Sequence, residues 1–209
     1  MFVKRFYKRL ARFYDRFSRH YGSDYRALNW VSPKSQDKRY KVIAACLAQG
    51  CSLNDIGCGH GDLMAYLHQR DEQFVTSYVG YDVAKEILEH VPASLQSLVH
   101  VSFRHIADPF EMQLADYSVA NGIFNNNWRT TLRKHHLAVF EEVVRAMWAR
   151  SMHGIVFNVL IRQKREPYDG LFYFDQSYVE DFLKAEIHPS FQLIDGYNPD
   201  DRTFFVQKP

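Results

Sequence analysis

The sequence predicts an α/β fold, on three observations. Short apolar runs of strand length alternate with longer segments whose apolar residues recur at spacings of three and four. One strand-like run passes into one helical segment through a turn with glycines at alternate positions, Leu53-Asn54-Asp55-Ile56-Gly57-Cys58-Gly59-His60-Gly61-Asp62-Leu63. The chain closes on two strand-like runs, Phe191 to Tyr197 and Arg202 to Lys208, around Asn198-Pro199-Asp200-Asp201, which is the pattern of a β-hairpin.

A chain of 209 residues suits one domain with a sizeable core. No apolar run approaches the roughly 18 residues of a membrane span, and the first turns lack the apolar centre of a signal peptide. The expectation is a cytoplasmic protein with no transmembrane segment. Cys46, Cys51 and Cys58 are odd in number and show no C-x-x-C spacing, which speaks against a disulfide framework or a zinc site and for small buried hydrophobes.

Residues 2–20 place Phe2, Phe6, Leu10, Phe13 and Phe17 on one stripe of an amphipathic helix. Its other face is basic: Lys4, Arg5, Lys8, Arg9, Arg12, Arg16 and Arg19 stand against Asp15 alone. That local excess outweighs the net +2 of the whole chain, so the remainder is mildly acidic. Three readings stay open: a stripe docked on the domain with its charges solvated, attraction of an anionic substrate or nucleic acid, and contact with a membrane surface. Ser32 ahead of Pro33 is an N-cap with proline at the first helical position, so a second helix is expected from Pro33 to Leu47.

Leu53 to Ile56 read as a buried strand. Glycine in the turn that follows lets the backbone take unusual dihedrals or approach a ligand, and the next helix offers unpaired N–H groups. A nucleoside is the natural guest. Asp82 follows Gly61 by twenty-one residues at the end of Tyr78-Val79-Gly80-Tyr81, where a carboxylate suits ribose hydroxyls. The loop is G-x-G-x-G with Asp62 where the dinucleotide fingerprint wants its third glycine, which argues against nicotinamide.

Asp55 through Gly61 read D-I-G-C-G-H-G. Here the sequence resembles the class I S-adenosylmethionine-dependent methyltransferases, whose first motif has the form D-x-G-C-G-x-G. The resemblance implies a Rossmann-like three-layer sandwich. Its sheet is seven-stranded and mostly parallel, with a C-terminal antiparallel β-hairpin and an N-terminal helical cap. It divides the single domain, 1–209, into a cap at 1–47 and a cofactor-binding core at 48–209.

The resemblance also implies S-adenosyl-L-methionine as cofactor, held by Asp55, Gly57, Cys58, Gly59 and Gly61. It implies Asp82 on the ribose and Val83 near the adenine face. Ala107 and Asp108, after a third strand at Val99 to Phe103, would lie at the adenine amino group, although Asp108-Pro109 is also a turn initiator. The segment Trp30 to Tyr40 is similar to one that lies over the cofactor in a group of small bacterial methyltransferases. This makes Trp30, Gln36, Arg39 and Tyr40 cap candidates, beside their reading as ordinary helix packing.

A short helix is expected over 84–90, closed by Pro92. The fourth strand, Ala115 to Asn121, ends in Gly122-Ile123-Phe124-Asn125-Asn126-Asn127-Trp128 at the sheet edge where ligands bind. Methyltransferases acting on nucleobase amines carry N-P-P-Y there. Asn121-Gly122-Ile123-Phe124 lacks both prolines, which weakens that substrate reading.

A long helix follows from Leu132 to Ala149; His135 and His136 are adjacent, point to different faces and are assigned no chemistry. In the fifth strand, Gly154 to Leu160, Asn158 is the lone polar residue of a buried run and is placed on the substrate side. Residues 162–176 read as a polar, aromatic loop over the site, and a helix is expected at Tyr178 to Ile187.

The implied activity is methyl transfer to a small-molecule O- or N-acceptor. The alternatives are an RNA or protein methyltransferase tethered by the basic helix, and a catalytically inactive cofactor-fold binding protein. No general base stands out. Asn125, Tyr168 and Tyr173 are the catalytic candidates, and His153, Asp169 and Asp175 lie in segments that could face the pocket.

Overall fold

The structure, a computed structural model, describes residues 2–30, 32–126, 132–161 and 170–209, with side chains from Phe6 onward. The chain runs α1 (Phe2–Tyr21), a 3-10 turn (Tyr25–Leu28), α2 (Pro33–Cys46), β1 (Cys51–Ile56), α3 (Asp62–Arg70), β2 (Val75–Asp82), α4 (Lys85–Leu88) and α5 (Ala93–Gln96). It continues with β3 (Val101–His105), a 3-10 turn (Pro109–Glu111), β4 (Ala115–Ala120), α6 (Arg133–Ala149), β5 (Ser151–Leu160), α7 (Gln176–Phe182), β6 (Gln192–Ile194) and β7 (Asp201–Gln207). The seven strands form one sheet in the order β3-β2-β1-β4-β5-β7-β6. Strands β1 to β5 pair in parallel, and β7 lies antiparallel between β5 and β6. This is the mostly parallel sheet with a C-terminal antiparallel hairpin that the sequence predicts.

Strand side chains alternate between faces, so each strand serves two cores. Ile56, Val79, Ile155, Phe157 and Phe204 face Phe140, Val144 and Met147 of α6 and Val179 of α7. Leu53, Tyr78, Val119, Val156 and Phe205 face Ile43 of α2 and Leu63, Met64 and Leu67 of α3. Burying both faces is what makes these strands apolar throughout, and it gives three layers.

Helix α2 begins as its sequence dictates: the Ser35 N–H donates to Ser32 Oγ at 3.4 Å, and Pro33 occupies the first turn. Helix α1 lays Phe6, Tyr7, Leu10 and Tyr14 inward and keeps Lys8, Arg9, Arg12 and Arg16 exposed. Ser18 Oγ donates to the Glu86 carbonyl at 3.3 Å and Arg19 Nε to the Glu86 carboxylate at 2.6 Å, pinning the end of α1 beside α4. Among the described residues no helix is long and apolar enough to cross a membrane.

Three elements differ from expectation. The helix expected over 84–90 is the single turn α4; Pro92, having no N–H to lose, is instead the N-cap of α5. The third strand starts at Val101, which pairs with Tyr78, and Val99 is fully exposed. The first arm of the hairpin shortens to β6, because β6 is an edge strand held only by β7.

Candidate active site

The strand order reverses at β1, with β2 on one side and β4 on the other. Loops leaving β1 and β4 diverge at that point and leave a crevice at the carboxyl edge of the sheet. The crevice is a cavity of about 450 Å³, floored by the loops after β1, β2, β3 and β4 and roofed by Phe6, Tyr7, Leu10 and Tyr14 of α1 with Trp30, Arg39 and Tyr40. That is the size of pocket that encloses a nucleoside-sized ligand.

The floor is shaped by backbone. The Gly57 and Cys58 N–H groups both donate to the Tyr81 carbonyl, at 2.7 and 3.1 Å, which ties the turn after β1 to the end of β2. Gly57 and Gly59 lie at φ of 71° and 57°, in the left-handed region where a side chain is strained. A Cβ on Gly57 would come within 2.2 Å of Ile123 Cγ2, and one on Gly59 within 2.7 Å of Leu28 Cδ1. The glycines hold space beneath the cap.

Two carboxylates stand at the ends of β1 and β2. Asp55 is buried and accepts a hydrogen bond from the Tyr78 hydroxyl at 2.7 Å. Burial, opposed by that bond and reinforced by the nearby Asp82 charge, raises its pKa to about 7. Asp82 accepts from Gly59 N–H at 3.2 Å and Ala84 N–H at 2.9 Å. Burial lifts its pKa to about 6 although these backbone donors favour the anion. Asp62 joins the lining, held by the Gln36 amide at 3.3 Å. Such a cavity suits a guest that brings hydrogen-bond donors and positive charge.

The cap is fastened through the C-terminal hairpin. Arg39 and Asp201 form a buried ion pair at 2.5 Å, and Arg39 also donates to Ser35 Oγ at 2.6 Å. The guanidinium lies 4.7 Å from the centre of the Trp30 ring, and Trp30 covers Gly122, where a Cβ would meet the ring at 2.7 Å. Asn158 completes the link: its amide donates to Asp201 at 2.9 Å and accepts from Gly122 N–H at 2.7 Å. Asn158 therefore does not face the cavity as expected; it fixes the start of the loop after β4.

Of the residues singled out in the sequence, Asp55, Gly57, Cys58, Gly59, Asp82, Val83, Ala107, Asp108, Asn121, Trp30 and Arg39 line the cavity. Gln36 and Gly61 do not. Gln36 acts on Asp62, and Gly61 is the N-cap of α3, packed against Phe103 and Leu95. Asp108 Oδ1 accepts from Phe110 N–H at 3.0 Å, so it serves the turn and lines the cavity together. The side-chain oxygen of Asn121 is sealed from water with no partner among the described residues.

Asn125 and Tyr173 line the cavity, whereas Tyr168, Asp169, Asn127 and Trp128 lie outside the described residues. Asn125 Oδ1 accepts from Leu160 N–H at 3.2 Å, a structural bond. His153 stands at the start of β5, 3.3 Å from Asp116 and at the opposite sheet edge, and Asp175 pairs with Arg133 at 2.8 Å on the surface. Neither of them faces the cavity.

His136, to which the sequence assigns no chemistry, also lines the cavity. His136 is buried, its Nε2 lies 2.8 Å from the Phe124 carbonyl, and its ring stacks on Phe172 at 3.7 Å. The signal was present in the sequence: His136 stands three and four positions before Val139 and Phe140 of the buried face, so it shares their side of the helix.

No protein-family profile matches the chain. A Mycobacterium tuberculosis protein that bears the name methyltransferase is 32% identical over 159 residues, spanning 75% of this chain and 93% of its own. Among solved structures, the Synechocystis magnesium protoporphyrin IX methyltransferase with bound S-adenosylhomocysteine superposes with a TM-score of 0.62 at 10% identity, over 83% of this chain and 84% of that one. Human N-acetylserotonin methyltransferase with S-adenosylmethionine superposes with a TM-score of 0.58 at 12% identity, over 81% of this chain and 51% of that one.

Proposed function

The chain belongs to the class I S-adenosylmethionine-dependent methyltransferases, and from that premise we propose that its acceptor is a small molecule methylated on oxygen or nitrogen beneath α1. The reading rests on one observation above all. The cavity is roofed by α1, and its lining holds Asp55, Asp62, Asp82, Asp108, Asp200 and Asp201 against a lone arginine, Arg39, already bonded to Asp201. An acidic, enclosed site repels polyanions and suits a neutral or cationic small molecule.

The residues fit the cofactor. In this reading Gly57 and Gly59 let its backbone-facing edge approach, Asp82 accepts from the ribose hydroxyls, and Asp108 accepts from the adenine amino group. Val83 and Ile123, which line the cavity beside Gly57, would lie against the base. The bound sulfonium supplies an activated methyl group. What the chain adds is alignment of the acceptor and exclusion of water by α1 and Trp30.

The test is a survey of small hydroxyl and amine compounds with methyl-labelled S-adenosylmethionine, read by mass spectrometry. Labelled product on a small acceptor, insensitive to salt, is expected. Labelling confined to RNA or protein would overturn the reading, as would binding of cofactor without turnover on any acceptor.

A further inference from the structure

Among the polar groups of the cavity that the cofactor reading leaves unused is His136. Its Nε2 is 2.8 Å from the Phe124 carbonyl oxygen, which can only accept, so Nε2 carries the proton and Nδ1 holds a lone pair. Burial, only partly offset by that carbonyl and aided by the Arg133 charge, brings the pKa down to about 4, which keeps the ring neutral near pH 7. One face is covered by Phe172 at 3.7 Å, and Phe6 approaches the ring edge-on at 6.4 Å.

Nδ1 has no hydrogen-bond partner among the described residues. His136 lines the cavity, as do Phe6, Leu10 and Phe124, and with Nε2 on the Phe124 carbonyl the other ring nitrogen, Nδ1, is the one left to meet a guest.

We propose that His136 Nδ1 accepts the hydrogen bond of the methyl acceptor's hydroxyl or N–H group, which makes the acceptor a neutral donor carried on an apolar body. The inference rests on the methyltransferase reading of the cavity. For a hydroxyl acceptor, His136 takes the O–H proton as the C–O bond forms, while the electron pair of the broken S–CH₃ bond stays on sulfur. The imidazolium then returns its proton to water. A weakly basic nitrogen suffices for this, because an alkylated hydroxyl oxygen is far more acidic than the free alcohol.

The test uses histidine labelled with ¹⁵N in the full chain with S-adenosylhomocysteine bound, and phenol as the probe. Long-range ¹H–¹⁵N spectra are expected to show His136 as the neutral Nε2–H tautomer, and phenol is expected to shift its Nδ1 resonance upfield in a saturable way. His136→Phe is expected to keep its affinity for S-adenosylhomocysteine and to bind phenol about fivefold or more weakly, the loss of one hydrogen bond. An unmoved Nδ1 resonance, phenol that does not saturate, or equal phenol affinity in the variant overturns the proposal. Should the variant not fold, the nitrogen shift of the native protein decides alone. Failure of S-adenosylhomocysteine to bind, seen before phenol is added, overturns the cofactor reading instead.

Discussion

Arg39 of the cap helix meets Asp201 of the last strand at 2.5 Å, with both side chains buried, across 162 positions of sequence. A buried pair of this kind adds little net stability, but removing one partner strands the other charge. Here the pair carries more than itself. Asp201 also holds Asn158, which holds Gly122, while Arg39 underlies Trp30. The cap and the loop after β4 are set by one network.

Asp201→Ala should destabilise the fold by about 3–5 kcal/mol, the cost of an uncompensated buried guanidinium. Urea unfolding checks it. The double variant Arg39→Met, Asp201→Leu should recover much of the loss, because no buried charge remains, whereas additive losses would show that the two residues act independently.

Asp82→Ala should weaken binding of S-adenosylhomocysteine by about 1.5–3 kcal/mol, since a charged acceptor of hydrogen bonds is removed. Isothermal calorimetry measures it. Unchanged affinity would displace Asp82 from the ribose.

Gly57→Ala should abolish tight cofactor binding and destabilise the fold by about 1–2 kcal/mol. The positive φ strains any side chain, and the new Cβ meets Ile123 at 2.2 Å. Thermal melts with and without S-adenosylhomocysteine separate the two effects.

The pH dependence of Asp55 has a definite sign. Its folded pKa of about 7 lies above the ordinary carboxylate value, so between about pH 4 and 7 the folded state binds more protons than the unfolded one. This group therefore costs stability as pH rises through about 7 and relieves that cost as pH falls. His60 and His136, both lowered to about 4, work the other way below the ordinary histidine value, so the whole chain blurs the signal. The difference between Asp55→Asn and the native protein isolates it: the variant should gain most at pH 8 and progressively less toward pH 5. A difference that does not vary with pH would contradict the buried, protonation-prone state of Asp55.

What was legible in the sequence was local. The glycine turn, the Ser32-Pro33 start of α2 and the terminal hairpin are written in residues a few positions apart, and each is present, the hairpin with a shortened first arm. The cavity residues near those motifs followed. What depended on distant partners did not: that Asn158 would bond Gly122 and Asp201, or that Gln36 would hold Asp62 rather than line the cavity, is fixed by strand register and helix docking. The charge pattern of α1 left three readings open. Phe6 and Leu10 of its apolar stripe lie over the site with Tyr7 and Tyr14, while Lys8, Arg9, Arg12 and Arg16 are exposed and Arg19 pairs with Glu86, an arrangement no spacing within the helix could decide.

The most direct test of the account is calorimetric titration of the purified protein with S-adenosylmethionine, S-adenosylhomocysteine and NADH. The account predicts saturable binding of the first two at one site per chain and none of NADH. Binding of NADH, or no binding of either adenosyl compound, would contradict the assignment of the glycine turn and Asp82 to S-adenosylmethionine.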